Sequence, residues 1–247
     1  MNNKKFKNYE LIASIFDQIQ DSSKYKSYNV FIRRIWKNLE FYPKTLLDLG
    51  CGSGSGFMPF LNDIEISGID NSDIMLKLAK KRLKKSNKKA TLFKQSFLDY
   101  KLKEGFDSVI CVNFTANHIL TKSDFLKFLN STYKSLNENG VFVFDIKPKK
   151  DFIRIFSKRS KFQKLKGLEY KWEVDSDKEI LNLFHITLYI KQNNQVLTEQ
   201  YLDKVYSLKE IKEFISKTKF KLLGVYDNYT FNKPTVNSKL WTFVLRK

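Results

Sequence analysis

At 247 residues with 42% apolar side chains the chain can build one large core, and its two cysteines supply neither a disulfide framework nor metal-ligand spacing. A formal charge of +19 invites a nucleic-acid reading, yet arginine, the residue favoured for bidentate contacts, is confined to Arg33, Arg34, Arg82, Arg154, Arg159 and Arg246. No apolar run is long enough to span a bilayer and no leader pattern is visible, so composition predicts a cytoplasmic protein with no membrane partner.

Leu11, Ile12, Ile15, Phe16 and Ile19 stand at helical spacing and predict a first helix over Tyr9 to Ile19, followed by a second from about Tyr28 to Leu39. Pro43 then marks a boundary, and a strand runs from Thr45 to Leu49. It opens into LLDLGCGSGSG, Leu46 to Gly56, with glycine at every second position: Gly50, Gly52, Gly54 and Gly56. Glycine accepts positive φ and lets a ligand lie against the main chain, so this loop is a predicted binding site. A helix beginning near Ser55 is expected next, its N-terminus suited to an anion. The strand IEISGID ends at Asp70, and Ser72 caps a helix carrying Ile74, Leu76, Leu78, Ala79 and Leu83. The lysine run from Lys80 to Lys89 reads as the solvated end of that helix, where cations complement the dipole.

Strands ATLFK and FDSVICV follow, then a helix opened by Ser123 or Asp124 and stopped at Asn139 and Gly140, then the strand VFVFDIK. Strands alternating with helices imply right-handed crossovers and a mostly parallel sheet. Beyond Pro148 the pattern changes to period two: LEYKWEVDSD, EILNLFHITLYIKQNN and QVLTEQYLDKVYS predict an antiparallel insertion. A helix with a capping box, Ser207 and Glu210, and the antiparallel strands KLLGVYD and LWTFVLRK close the chain. The expected division is residues 1–42 as N-terminal helices, 43–150 as the core, 151–206 as the insertion and 207–247 as the closing helix and strand pair.

The glycine spacing discriminates between ligands. A dinucleotide loop needs G-x-G-x-x-G, and the third glycine fails at Ser55 in one frame and at Phe57 in the other. With Asp48 two residues ahead of Gly50, the pattern D-x-G-x-G-x-G resembles motif I of the class I S-adenosylmethionine (SAM) dependent methyltransferases, and the element order resembles that family along essentially the whole chain. The resemblance implies an α/β fold: a doubly wound, mostly parallel seven-stranded sheet, Rossmann-like, with an antiparallel β insertion and an N-terminal helical lid. It also implies SAM as cofactor. Asp48, Gly50, Cys51, Gly52 and Gly54 then hold its amino-acid end, Asp70 and Asn71 the adenosine ribose, and Ser96 and Phe97 the adenine. Ser96 departs from the acid often found there. Met75 and Ile74 are candidates for the other face of the ring, and Tyr25 and Tyr28 belong to a lid segment with Tyr9, Ala13, Phe16 and Asp17.

Strand FDSVICV runs into VNFTANHI, where the chemistry is expected. The D/N-P-P-Y/F motif of nucleic-acid amino methyltransferases is absent, and the stretch is similar to deoxysugar amine N-methyltransferases, which carry a histidine at the place of His118. His118, as general base or orienter, and Asn113 are therefore the catalytic candidates; an ordinary structural histidine is the competing reading. His185 reads as structural or pocket-lining, and Tyr170, Trp172, Phe184, Tyr189 and Tyr201 as an aromatic roof. The expected function is in-line methyl transfer from SAM to nitrogen or oxygen of a small-molecule acceptor by a monomer or homodimer, without a metal. Two alternatives stay open: a SAM-dependent RNA modifier, supported by the charge, and a non-catalytic SAM-binding protein, motivated by Ser96.

Overall fold

The computed structural model describes residues 5–6, 9–13, 15–19, 23–157, 160–165, 167–192 and 195–247. The chain enters through β1 (Lys5–Phe6), two single helical turns α1 (Glu10–Ala13) and α2 (Phe16–Ile19), and the long α3 (Ser23–Asn38). The alternating part comprises β2 (Thr45–Leu49), β3 (Glu65–Asp70), α4 (Asp73–Lys85), β4 (Thr91–Lys94), β5 (Phe106–Cys111), α5 (Lys122–Ser135) and β6 (Leu136–Ile146). Then come α6 (Lys149–Ser157), β7 (Gln163–Leu165), β8 (Leu168–Ser176), β9 (Leu183–Gln192) and β10 (Gln195–Lys204), and finally α7 (Leu208–Ser216), β11 (Lys221–Asp227) and β12 (Trp241–Arg246).

Seven strands form one sheet in the order β11-β12-β6-β5-β2-β3-β4, parallel from β6 to β4, with β12 antiparallel to β6 and to β11. Strands covered on both faces read as apolar runs. In β2 the side chains of Leu46, Leu47 and Leu49 are all sealed, and Asp48 is the polar exception. Successive residues of β6 alternate between two cores: Phe142 and Phe144 pack with Phe125 and Phe128 of α5 and Phe214 of α7, while Val141 and Val143 meet Phe31 and Ile32 of α3 and Leu76 of α4. Each such side chain contributes about 1.5–3 kcal/mol of burial. Strand order reverses where β2 lies between β3 and β5, which opens a crevice at their C-terminal ends.

The second sheet runs β1-β10-β9-β8-β7, antiparallel apart from β1 against β10. Leu11, Ile12, Ala13 and Ile15 pack with its Trp172, Phe184 and Ile186 and with Met75 of α4, so the entering segment is clamped between the two sheets. Among the described residues no helix is long and apolar enough to cross a membrane.

Several expectations are corrected. No helix follows the glycine loop: turns and one 3-10 turn, Met58–Phe60, connect it to β3. Pro59 lacks an N–H, and Phe57 and Phe60 are both fully buried, so side-chain anchoring replaces a regular helix. The first helix is broken into α1 and α2. The helix of Lys122–Ser135 is capped by Thr121, whose hydroxyl accepts from the Asp124 N–H at 3.1 Å, and it stops short of Asn139 because Leu136 already pairs with Phe106 of β5. Helix α6 was unforeseen, since its apolar stripe, including the sealed Phe152, is hidden in a lysine-rich run.

Candidate active site

A cavity of about 390 Å³ lies at the C-terminal ends of the parallel strands, beneath the second sheet and the entering segment. Its floor is the glycine loop, tied to β3 by the N–H groups of Gly50 and Cys51, which donate to the Ile69 carbonyl at 2.8 and 2.9 Å. Gly52 has φ +52°, and a Cβ there would meet nothing within 4 Å, so bare backbone faces open space. At Gly56 a Cβ would fall 2.8 Å from Oδ2 of Asp48, so glycine makes room for the carboxylate. Gly54 stands behind the wall against Phe57 and is not part of the lining.

Two carboxyl groups face this floor. Asp48 is 2% exposed, and burial, followed by the charge of Asp70, pushes its pKa up to about 8. Asp70 accepts the Gly52 N–H on Oδ2 and the Ser72 N–H on Oδ1, each at 2.8 Å. Its pKa is also raised by burial, against the lowering effect of those N–H groups and of His118. Asn71 stands exposed at the rim, as does Ser96, whose hydroxyl accepts the Leu98 N–H at 3.2 Å. Phe97 is half-buried on the wall with its ring edge-on to Phe128. Met75 lines the cavity and Ile74 does not.

The lid residues separate. Tyr9, Phe16 and Tyr25 line the cavity, and the Tyr25 hydroxyl accepts from Nδ2 of Asn113 at 3.4 Å. Tyr28 corrects the expectation: it is fully buried between Phe60 and Tyr229, off the cavity wall. Ala13 is buried in the cluster behind, and the side chain of Asp17 lies outside the described residues. Cys51 lines the floor with a buried thiol whose pKa burial raises, which disfavours the thiolate.

After β5 the backbone takes two consecutive left-handed residues, Asn113 (φ 62°) and Phe114 (φ 51°). Asp145 of β6 holds them: its carboxylate accepts the Asn113 N–H at 3.0 Å, the Phe114 N–H at 2.5 Å and the Tyr229 hydroxyl at 2.5 Å. Burial raises the Asp145 pKa to about 6, against the lowering by those donors and by Lys147. Asn117 is a staple rather than a reactive group: sealed, it donates to the Lys204 carbonyl at 3.0 Å and accepts the Lys147 N–H at 2.9 Å.

His118 follows on the 3-10 turn Thr115–His118. Its Nδ1 lies 2.5 Å from Oδ1 of Asp203 on β10, and its Nε2 lies 2.5 Å from the Tyr9 hydroxyl. Burial pulls the imidazole pKa down, but the charge and hydrogen bond of Asp203, the Leu202 carbonyl and the charge of Asp70 together carry it above its ordinary value. Trp172, Ile186 and Tyr201 complete the roof. Tyr170 and Phe184 instead fill the core behind it, Tyr189 packs against Lys171, and His185 pairs with Asp177 at an exposed turn.

Asp203 and Asp145 were missed. The signal for Asp203 is an acid at an inward position of a period-two strand, with Glu199, Tyr201 and Asp203 sharing one face of β10. Asp145 is the acid near the end of an apolar run, as Asp48 is.

The fold is found in other proteins. The chain superposes with a TM-score of 0.84 on an S-adenosylmethionine-dependent methyltransferase from Clostridium acetobutylicum ATCC 824, at 21% identity over 96% of this chain and 98% of that one. It superposes at 0.72 on a SAM-bound amino pentose methyltransferase from Micromonospora echinaspora, at 16% identity over 100% and 99%. In sequence it is 23% identical over 97% of both chains to YqeM of Bacillus subtilis (strain 168), named as a methyltransferase. It is 27% identical over 88% of this chain to a carboxy-S-adenosyl-L-methionine synthase of Campylobacter concisus (strain 13826), covering 95% of that protein. Residues 46–140, from β2 into β6, match the family described as a methyltransferase domain. Residues 46–140 thus carry a methyltransferase domain, and the fold around them is the one shared with SAM-dependent methyltransferases.

Proposed function

We propose that this enzyme methylates a nitrogen or oxygen atom of a small organic acceptor, with His118 as the base. The observation that carries the proposal is the lining of this cavity, which combines glycine backbone, Asp48 and Asp70 with His118, Asp203, Tyr201 and Trp172. The first set of groups fits the cofactor. A buried carboxyl whose pKa stands near 8 lacks a cationic neighbour, and the ammonium of SAM is such a cation. Open backbone at Gly52 suits its carboxylate, and each Asp70 oxygen keeps a lone pair for a ribose hydroxyl after accepting its N–H. Ser96 and Phe97 would border the adenine, Asn71 the ribose rim, and Tyr25 with Asn113 the sulfonium end.

When bound, SAM supplies an activated methyl group, whose carbon the acceptor attacks in line while the C–S electron pair leaves with sulfur. The chain's share is alignment, worth several kcal/mol of barrier, and removal of the acceptor's proton. A neutral imidazole is suited to an ammonium or hydroxyl acceptor near neutral pH. The roof of Trp172, Ile186 and Tyr201 limits the acceptor end to a compact molecule, and the fold shared with an amino pentose methyltransferase places amino sugars first in a substrate panel.

The test is incubation of the purified chain with methyl-labelled SAM and a panel of amines, amino sugars, phenols and RNA. Label on a small molecule, lost in His118→Ala, is the expected result. Label on RNA alone, or carboxylation of the donor without methyl transfer, overturns the proposal.

A further inference from the structure

We infer that Asp203 is the positioning residue of the base: its carboxylate holds Nδ1 of His118 and so leaves Nε2 as the atom that receives the acceptor's proton. The inference rests on the methyl-transfer reading for its chemical meaning and on this chain's own geometry for its content.

A neutral imidazole carries one proton and has two nitrogens, so its neighbours decide the tautomer. Asp203 is 3% exposed at the side chain, and an ionised carboxylate only accepts. Oδ1 stands 2.5 Å from Nδ1 as an ion pair, a contact that favours the hydrogen on Nδ1. The neighbour of Nε2 is the Tyr9 hydroxyl, which can donate, and this leaves Nε2 the acceptor at 2.5 Å. Both contacts favour one tautomer. An acceptor's N–H or O–H would take the place of the Tyr9 hydroxyl at Nε2. The proton moves from the acceptor to Nε2, the acceptor's electron pair goes into its new bond to carbon, and the imidazolium is held against the Asp203 carboxylate.

Three separate parts of the chain meet here: the entering segment supplies Tyr9, the turn after β5 supplies His118 and the inward face of β10 supplies Asp203. The other groups that bear on the imidazole are the Leu202 carbonyl from β10 and Asp70 from β3; Glu199 and Tyr201 of β10 face Tyr9, and Lys147 borders the same cavity. Asp203 leads the groups that raise the imidazole against the effect of burial.

The test is a histidine ¹⁵N NMR titration of the full chain in the H185Q background, which leaves His118 as the observed ring, since His118 and His185 are its two histidines. Neutral His118 is expected to carry its proton on Nδ1, with a midpoint above the free value of about 6.5. Asp203→Asn is expected to lower that midpoint by about one unit or more and to admit the other tautomer, while Asp203→Glu restores both. A wild-type ring protonated on Nε2 overturns the inference, and so does an unchanged midpoint in a folded Asp203→Asn protein. Should Asp203→Asn lose its fold, the wild-type tautomer and Asp203→Glu decide the matter. In activity, the acid limb of the rate profile moves to lower pH in Asp203→Asn. Absence of methyl transfer by the wild type, with the expected tautomer present, would sink the methyl-transfer reading and leave the pairing standing.

Discussion

Asp48 interrupts a strand otherwise sealed by leucine, and its carboxyl titrates near 8 because it is buried beside Asp70. At neutral pH the free protein therefore holds that carboxyl mostly protonated. An ammonium docking against it favours the carboxylate, so SAM binding at pH 7 is expected to release close to one proton, read by calorimetry in buffers of different ionisation enthalpy. The same shift sets a stability trend. The folded pKa lies above the unfolded value of 3.8, so the native state binds the proton more tightly, and the contribution present below that value is lost as pH rises through about 8. Asp48→Asn should match the wild type in thermal stability near the unfolded carboxyl range, exceed it above the folded pKa, and bind SAM more weakly throughout. For His118, truncation to alanine is expected to slow single-turnover methyl transfer by ~10²–10⁴-fold with SAM affinity unchanged, measured by rapid quench at saturating SAM.

The loop after β5 depends on a neighbouring strand for its shape. Two consecutive left-handed residues that are not glycine cost free energy, and Asp145 offsets this by accepting both N–H groups together with the Tyr229 hydroxyl. Asp145→Ala leaves those donors without their partner and is expected to cost about 2–4 kcal/mol in denaturant unfolding, against a smaller loss for Tyr229→Phe. A second element-level contact secures the entering segment: the Ile12 N–H donates to Oε2 of Glu199 at 2.9 Å, and the Tyr201 hydroxyl donates to the same oxygen. Glu199→Ala should speed hydrogen exchange at the Ile12 amide while leaving the amides of β2 and β5 protected, since only the former loses its acceptor.

At the scale of the whole molecule a net charge of +19 is self-repulsive, and screening relieves it. The Tm is expected to rise between low salt and about 0.3 M salt, where the Debye length falls below ~10 Å; a salt-independent Tm would show the repulsion to be negligible. What the sequence determined alone is local. Alternation of apolar strands and helical faces set the order of the elements along the chain, the Ser72 and Ser207 caps followed from side chains that accept N–H groups within three residues, and the glycine spacing with Asp48 and Asp70 marked the loop that floors the cavity. Two local signals misled: glycine, proline and phenylalanine after Gly54 were read as a helix, and the lysine-rich stretch hid α6, because tertiary anchoring of Phe57, Phe60 and Phe152 outweighs intrinsic propensity. Tertiary structure alone decided the cluster around His118. Tyr9, His118 and Asp203 are brought together across 109 and 85 positions of chain, the former separation by one hydrogen bond and the latter by an ion pair. No period or motif encodes such a meeting, because it depends on how the second sheet and the entering segment dock over the crevice, and that docking is governed by packing among side chains far apart in the chain.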